Sequence, residues 1–247
     1  MIDIHSHIMS GIDDGARSLE ESLLLLKKMS AIGISHIVAT PHYIVGSHYI
    51  LNNQQKLEKL EKMRNLVKQE NIPLYLYLGN EIFMDPSILA LIKKNEIAPI
   101  NGSRYILIEL PVSRPMNEMM EFLFYFRSKD FVPIIAHPER YVYLQENHEL
   151  IEKFLKMGCL FQGNFSNILE KYGAHAKKLF LYMLKNNQYH FLATDIHHED
   201  DILFKKMKKV KKEIIKLTSK EKFQELTYDN PLKVLKNENI EIKYGEN

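Results

Sequence analysis

Seven short apolar runs, separated by stretches of helical periodicity, constrain this 247-residue chain more than any other feature. The runs are Ile2–Ile4, Ile34–Ala39, Leu74–Leu78, Tyr105–Leu110, Val132–Ala136, Cys159–Gln162 and His190–Ala193. Most read as nearly continuous apolar sequence (SHIVAT, YILIEL, VPIIAH), which suits parallel strands covered by helices better than strands with one wet face. Helical patterns lie between them at about Asn53–Gln69, Pro115–Ser128, Glu149–Met157, Leu169–Lys185 and Lys205–Leu217, with a short one at Pro86–Lys94. The first helix is expected to start at Ser18, with Glu21 completing a Ser-x-x-Glu box, and to bury Leu23, Leu26 and Met29. Seven units of about 35 residues predict an α/β fold, a closed or distorted seven-stranded barrel forming a single domain over 1–247. An open doubly wound sheet shares this local signature, because strand order is not written in any one segment. The polar tail from Thr227, with its PLKVL run, is expected to pack across the barrel.

Composition removes several classes of function. Hydrophobic residues are 45% and charged residues 26%, a globular balance able to bury a full core. The single cysteine, Cys159, excludes an internal disulfide framework and a cysteine-rich metal site, and its context in CLFQGNF lacks the arginine of a cysteine-phosphatase loop. It is read as a buried, inert thiol. No apolar run approaches the roughly 18 residues of a spanning helix, and MIDIHSH is no export signal, so a cytoplasmic protein without an integral membrane segment is expected. The net charge of +2 conceals nine Lys and two Glu between Lys205 and Lys222. There Leu203, Met207, Val210, Ile214 and Leu217 form one apolar stripe, so the lysines read as the solvated face of a docked helix. No aromatics alternate with them as a stacking platform requires, and no nucleic-acid partner is expected.

Histidine is what remains, eleven in all, and its placement matters. His5 and His7 follow the first run, with Asp13 and Asp14 in the loop beyond; His42 follows the second and Glu81 the third. Glu109 ends the fourth, His137 follows the fifth, and Asp195 and His197 follow the seventh. In a β/α barrel the carboxyl ends of all strands open onto one face, so residues nearly 200 apart in sequence meet in one pocket. Residues i and i+2 of an extended segment point the same way, so His5 with His7, and Asp195 with His197, can each grip one ion. Without a cation, that many carboxylates and imidazoles would crowd at a heavy electrostatic cost. The candidates exceed one coordination sphere, so two or three divalent ions are expected, and an all-N/O set fits Mn, Fe, Zn or Co. His36, His148, His175 and His190 are read as structural, and His48 as a residue of a polar loop near His42.

The ordered set DIHSH, ATPH, GNE, IIAHPERY and TDIH, with GIDDGARSLEES after the first motif, resembles the polymerase-and-histidinol-phosphatase (PHP) superfamily. Within it, the chain is similar to the bacterial tyrosine-protein phosphatases of the CpsB/CapC type, associated with capsular and exopolysaccharide synthesis. The likeness covers Met1 to about His197. It implies a distorted (β/α)7 TIM-like barrel with three metals, usually assigned as Mn2+. By motif, one ion would be held by His5, His7, Glu81 and Asp195, a second by the bridging Glu81 with Glu109 and His137, and a third by Asp14, His42 and His197. Arg140 of HPER matches an arginine that engages the substrate phosphate. The implied reaction is hydrolysis of protein phosphotyrosine by metal-activated water, with the tail of a bacterial tyrosine kinase as partner. One departure stands out: relatives carry an arginine after the TDxH motif, whereas this chain runs TDIHHEDDILF, with His198 as the adjacent stand-in. Rival expectations are a small-molecule phosphatase acting on histidinol phosphate or a sugar phosphate, a metal-dependent nuclease, and a metal-bound scaffold. Oligomerisation is left open. Aromatics in Tyr43–Tyr49, Phe83–Pro86, Tyr141–Tyr143 and Phe165–Asn167 are the candidates to meet a phenyl ring at the pocket rim.

Overall fold

A computed structural model describes residues 1–241. All strands pair in parallel and fall into two sheets. The first contains β1 (Ile2–Asp3), β2 (His36–Ala39) and β4 (Tyr75–Leu78), in the order β1-β2-β4. The second runs β3 (His42–Tyr43), β5 (Glu81–Phe83), β6 (Tyr105–Glu109), β7 (Val132–Ala136), β8 (Leu160–Asn164) and β9 (Phe191–Ala193). The seven expected runs therefore appear as nine pieces. The second and third each continue past a break and switch sheets, at Thr40-Pro41 and at Gly79-Asn80. Pro41 brings no N–H to a ladder. At Gly79 an added Cβ would lie 3.1 Å from Val38 Cγ1 and 3.3 Å from Thr40 Cγ2, a contact tight enough that these side chains would have to give by a few tenths of an ångström. Beyond the breaks, β3 and β5 begin on His42 and Glu81, which are register partners.

The expected single seven-stranded ring thus meets two parallel sheets of three and six strands. Between β9 and β1 there is a lone parallel bridge, Ser6 to Ile196, flanked by Asp195 N–H to His5 O and His7 N–H to Ile196 O, both 2.9 Å. These bonds lie past the ends of the strands, where the polar residues sit.

Alternate strand residues serve two apolar layers. Ile4, Val38, Leu107, Ile134, Leu160 and Phe191 pack together inside, while Ile37, Ile108, Ile135 and Phe161 meet the helices. The tail contributes Val234, from the helix Asn230–Leu235, to the inner layer, in keeping with the expected packing across the strands.

Helix boundaries differ from expectation where local chemistry competes. The first helix, Leu19–Ala31, is capped by Ser18 accepting from Glu21 N–H at 3.2 Å. The box is not closed, however: Glu21 Oε2 accepts from Arg17 N–H at 2.8 Å instead of from Ser18. Its buried face is Ser22, Leu25, Leu26 and Met29, with Leu23 only half-buried. The Pro115 helix starts at Met119, and the Leu169 helix becomes a 3-10 turn, Phe165–Leu169, followed by Gly173–Lys185. The lysine-rich helix spans Ile202–Leu217 and buries Leu203, Met207, Val210 and Ile214, as its stripe predicts. Among the described residues, no helix is long and apolar enough to cross a membrane.

Candidate metal centre

Beyond the carboxyl ends of the strands, the side chains singled out by sequence converge. His5 Nε2 lies 3.1 Å from Glu81 Oε2, 3.3 Å from Asp195 Oδ1 and 3.2 Å from His7 Nε2. His7 Nε2 is 3.2 Å from the same Glu81 oxygen and 3.5 Å from Asp195 Oδ1. This buried quartet is one group with metal-binding geometry. A second joins Asp14, His42 and His197 with His7; Asp14 Oδ1 is 3.5 Å from His42 Nε2 and 3.6 Å from His197 Nε2. A third joins His42, Glu81 and Glu109. His137, expected in that last set, has Nε2 2.8 Å from Glu81 Oε1 and 3.8 Å from Glu109 Oε1. All nine candidate ligands lie in one constellation, and Glu81 belongs to two of the three groups.

The adjacent aspartates part company. Asp13 turns inward, where Oδ2 accepts from His7 Nδ1–H at 2.8 Å and from His42 N–H at 3.0 Å. Asp14 is exposed toward the pocket. The loop can fold so closely because of Gly15, where a Cβ would stand 2.1 Å from the His7 carbonyl oxygen. Asp13 thereby orients His7, leaving its Nε2 lone pair for the cluster.

A second orienting chain runs through β8 and is absent from the sequence reading. Asp195 Oδ2 can only accept, so Asn164 directs its Nδ2–H to it, at 2.6 Å. Asn164 Oδ1 then accepts from Gln162 Nε2–H at 2.8 Å, and Gln162 Oε1 accepts from His5 Nδ1–H at 2.7 Å. Each bond dictates the next, and the chain ends by leaving the His5 Nε2 lone pair toward Glu81. Its signal was available: Gln162 and Asn164 are two polar residues at i and i+2 at the end of an otherwise apolar run.

Electrostatics mark the cluster as a cation's place. Burial would lift the carboxyls of Glu81 and Asp195, but the imidazoles, His5 foremost, hold both well below the usual range. Glu109 is pushed up to about 8 by burial and by the Glu81 carboxylate. His197 falls to about 4 through burial and the neighbouring His7 ring. Two ring nitrogens, His42 Nδ1 and His137 Nδ1, are buried without a hydrogen-bond partner. Two of the candidate ligands, His137 and Asp195, have φ of 31° and 51°, a left-handed conformation uncommon outside glycine. An all-N/O donor set with unpartnered imidazoles, gathered around shared carboxylates, fits divalent transition ions.

The cluster floors an open pocket of about 640 Å3. Above it, Arg140 Nη1 stands 3.8 Å from Asp195 Oδ2, and its guanidinium carbon is 4.6 Å from the Tyr172 ring centroid. The turn carrying Arg140 is anchored by fully buried Glu139, which accepts from Asn164 N–H at 2.7 Å, Asn167 Nδ2–H at 2.6 Å and Tyr189 O–H at 2.8 Å. Sequence reasoning overlooked Tyr172 and also Lys171, a pocket cation paired with Asp201 at 2.6 Å. His198 lines the pocket with Nδ1 3.4 Å from Glu21 Oε1. Of the rim aromatics expected, Tyr43, Tyr141, Tyr143 and Phe165 are buried in the fold and Phe83 lies outside the pocket lining; Tyr49 alone lines it. Cys159 is buried far up the thiol scale, at about 12, as an inert core residue. His190 is likewise structural, its Nδ1 accepting from Phe161 N–H.

Comparison with known proteins agrees with this arrangement. Residues 1–236 match the profile of the family described as "Capsular polysaccharide synthesis, CpsB/CapC". The chain is 32% identical over 241 residues to the tyrosine-protein phosphatase CpsB of Streptococcus pneumoniae, covering 95% of this chain and 98% of that one. It is 30% identical over 245 residues to the tyrosine-protein phosphatase CpsB of Streptococcus agalactiae, covering 97% and 100%. Among solved structures, it superimposes with a TM-score of 0.88, at 26% identity and 98% and 97% coverage. That structure is described as one of YwqE from Bacillus subtilis and CpsB from Streptococcus pneumoniae, "unique metal-dependent tyrosine phosphatases". The chain belongs to the CpsB/CapC family of capsular polysaccharide synthesis.

Proposed function

We propose that this protein is a metal-dependent protein-tyrosine phosphatase, and that His5, His7, Asp14, His42, Glu81, Glu109, His137, Asp195 and His197 hold two or three divalent ions, Mn2+ foremost. The observation that carries the reading is the convergence of these side chains around the shared carboxylate of Glu81, with Asp195 beside it, beneath a pocket bearing Arg140. Glu81 bridges: its Oε2 reaches His5, His7 and His42, while its Oε1 faces His137. When bound, the ions supply Lewis acidity toward the phosphoryl oxygens and lower the pKa of water. The chain's own residues do the rest. Asp13, Gln162 and Asn164 fix the tautomers and directions of the imidazoles and of Asp195. Arg140 offers a planar set of donors to a phosphate dianion beyond the ligand shell. A phenol leaves with pKa about 10, so a phosphotyrosine ester needs less protonation of its leaving oxygen than an alkyl ester.

The same reading takes the two sheets as one interrupted, distorted barrel of PHP type, supported by the parallel bridge from Ser6 to Ile196. It takes the chain as one catalytic unit, since the site draws on residues from His5 to His197. The names of the relatives and the family description support a phosphotyrosine-bearing protein of capsule synthesis as substrate. The further reading, the tail of a tyrosine kinase met in the cytoplasm, rests on the resemblance of the sequence motifs.

The test is competition. Purified protein loaded with a defined metal is offered a phosphotyrosine peptide, a phosphoserine peptide and histidinol phosphate. The phosphotyrosine peptide is expected to show the highest kcat/KM, and chelation to abolish turnover. A tenfold preference for histidinol phosphate, about 1.4 kcal/mol of transition-state stabilisation, would replace the substrate while leaving the metal chemistry.

A further inference from the structure

The pocket is strongly charged, and its apolar lining is confined to Ile44, Tyr49, Tyr172 and Ile202. A phenyl leaving group needs apolar surface once its phosphate is against the cluster. Of the two aromatic rings available, Tyr172 already carries cations, with the Arg140 guanidinium carbon at 4.6 Å and Lys171 Nζ at 5.5 Å from its centroid. Tyr49 carries none among the described residues. It stands on a small loop, 44–49, closed by Ile44 N–H to Tyr49 O and Ser47 N–H to Ile44 O, both 3.1 Å. Its ring lies 6.0 Å from the His42 ring at an interplanar angle of 23°, and 4.1 Å from His48. These contacts hold a half-buried aromatic at the border between the histidine cluster and the loop. Val45 and Ile50, its neighbours in sequence, are 45% and 50% exposed apolar side chains.

We infer that Tyr49, backed by Ile44, is the residue that selects aryl over alkyl phosphates, by packing against the tyrosyl ring of the substrate. This rests on the phosphatase reading above. Offset ring packing contributes about 0.5–1.5 kcal/mol beyond area burial, which corresponds to roughly twofold to tenfold in KM. That is enough to separate phosphotyrosine from phosphoserine at one and the same metal site. The position is also suited to selection without chemistry: Tyr49 is none of the candidate ligands, and its nearest one, His42, is contacted only through ring faces.

The experiment compares the parent with Tyr49→Ala and Tyr49→Phe on a phosphotyrosine peptide and on the same peptide carrying phosphoserine, with bound metal quantified in each preparation. Tyr49→Ala is expected to raise KM for phosphotyrosine about fivefold, to change kcat less, and to shrink the ratio of the two kcat/KM values by the same factor. Tyr49→Phe is expected to restore the ratio, and metal content to stay constant. Equal losses on both peptides, or a parallel fall in metal content, would overturn the inference by placing Tyr49 in support of His42. An unchanged ratio would overturn it too, with the phosphatase reading intact. A parent protein that hydrolyses no phosphotyrosine peptide would instead overturn that reading and this inference with it.

Discussion

Replacing Gln162 with Leu tests whether imidazole orientation is what makes the cluster a metal site. The volume is nearly kept and the residue is fully buried, so the change is mainly one of hydrogen bonding. His5 Nδ1–H loses its acceptor, previously at 2.7 Å, and Asn164 Oδ1 loses its donor, previously at 2.8 Å. A buried polar group left unpaired costs about 1–3 kcal/mol. The protein can escape part of that cost by rotating the His5 ring or moving its proton to Nε2, and either escape withdraws the lone pair aimed at Glu81. Loss of such orienting partners lowers metal affinity about tenfold to 100-fold, some 1.4–2.7 kcal/mol, in line with the unpaired-group cost. The assay is competition with a chelator of known affinity, with urea unfolding of the metal-free protein as a parallel measure. Because Asn164 and Gln162 act in one chain, Asn164→Ala combined with Gln162→Leu should cost less than the sum of the single changes. Wild-type metal affinity in a folded Gln162→Leu protein would refute the reasoning.

Other outcomes follow from the same geometry. Glu81→Ala should reduce turnover at least about tenfold more than His42→Ala, since Glu81 meets four imidazoles; equal losses in steady-state rates would remove its bridging role. Arg140→Ala should raise KM and the inhibition constant of inorganic phosphate with metal content unchanged, and Arg140→Lys should recover little, because a point charge does not reproduce the fork. A fall in metal content measured by elemental analysis would make Arg140 structural. Burial, with a contribution from Lys222, depresses His190 to about 3, while the unfolded chain takes up that proton near pH 6.5. Its contribution to stability is therefore complete above pH 6.5 and lost as the pH falls toward 3. Between pH 7 and 5 the metal-free parent should lose about 2 kcal/mol more than His190→Asn, as read from urea unfolding; equal losses would show that His190 is not held neutral.

Much of the fold is local, and its legibility follows from that. The helix Asn53–Gln69 and the stripe of Leu203, Met207, Val210 and Ile214 match the sequence reading because periodicity and capping act within a few residues. The apolar runs mark seven of the nine strands; His42–Tyr43 and Glu81–Phe83 lie past the ends of the second and third runs, where the chain changes sheets after Pro41 and Gly79. At the first helix, Glu21 had two N–H groups within reach, and only the path of the incoming chain assigns it to Arg17.

The candidate ligands were legible as a set because strand-end His, Asp and Glu recur with the strands, and parallel strands deliver their carboxyl ends to one face. Sequence alone therefore determined which residue types, at which strand ends, could meet. Their division of labour was a tertiary decision. Asp13 and Asp14 are adjacent and chemically identical, yet one orients His7 and the other faces the pocket, because consecutive residues in a tight loop point to different sides. Likewise Gln162 gains its role from His5, 157 residues away, and Asn164 from Asp195, 31 residues away, and Tyr49 rather than Tyr43 or Tyr141 reaches the pocket. Directional hydrogen bonds and ring orientations depend on angles between elements, and those angles exist only once the core has packed.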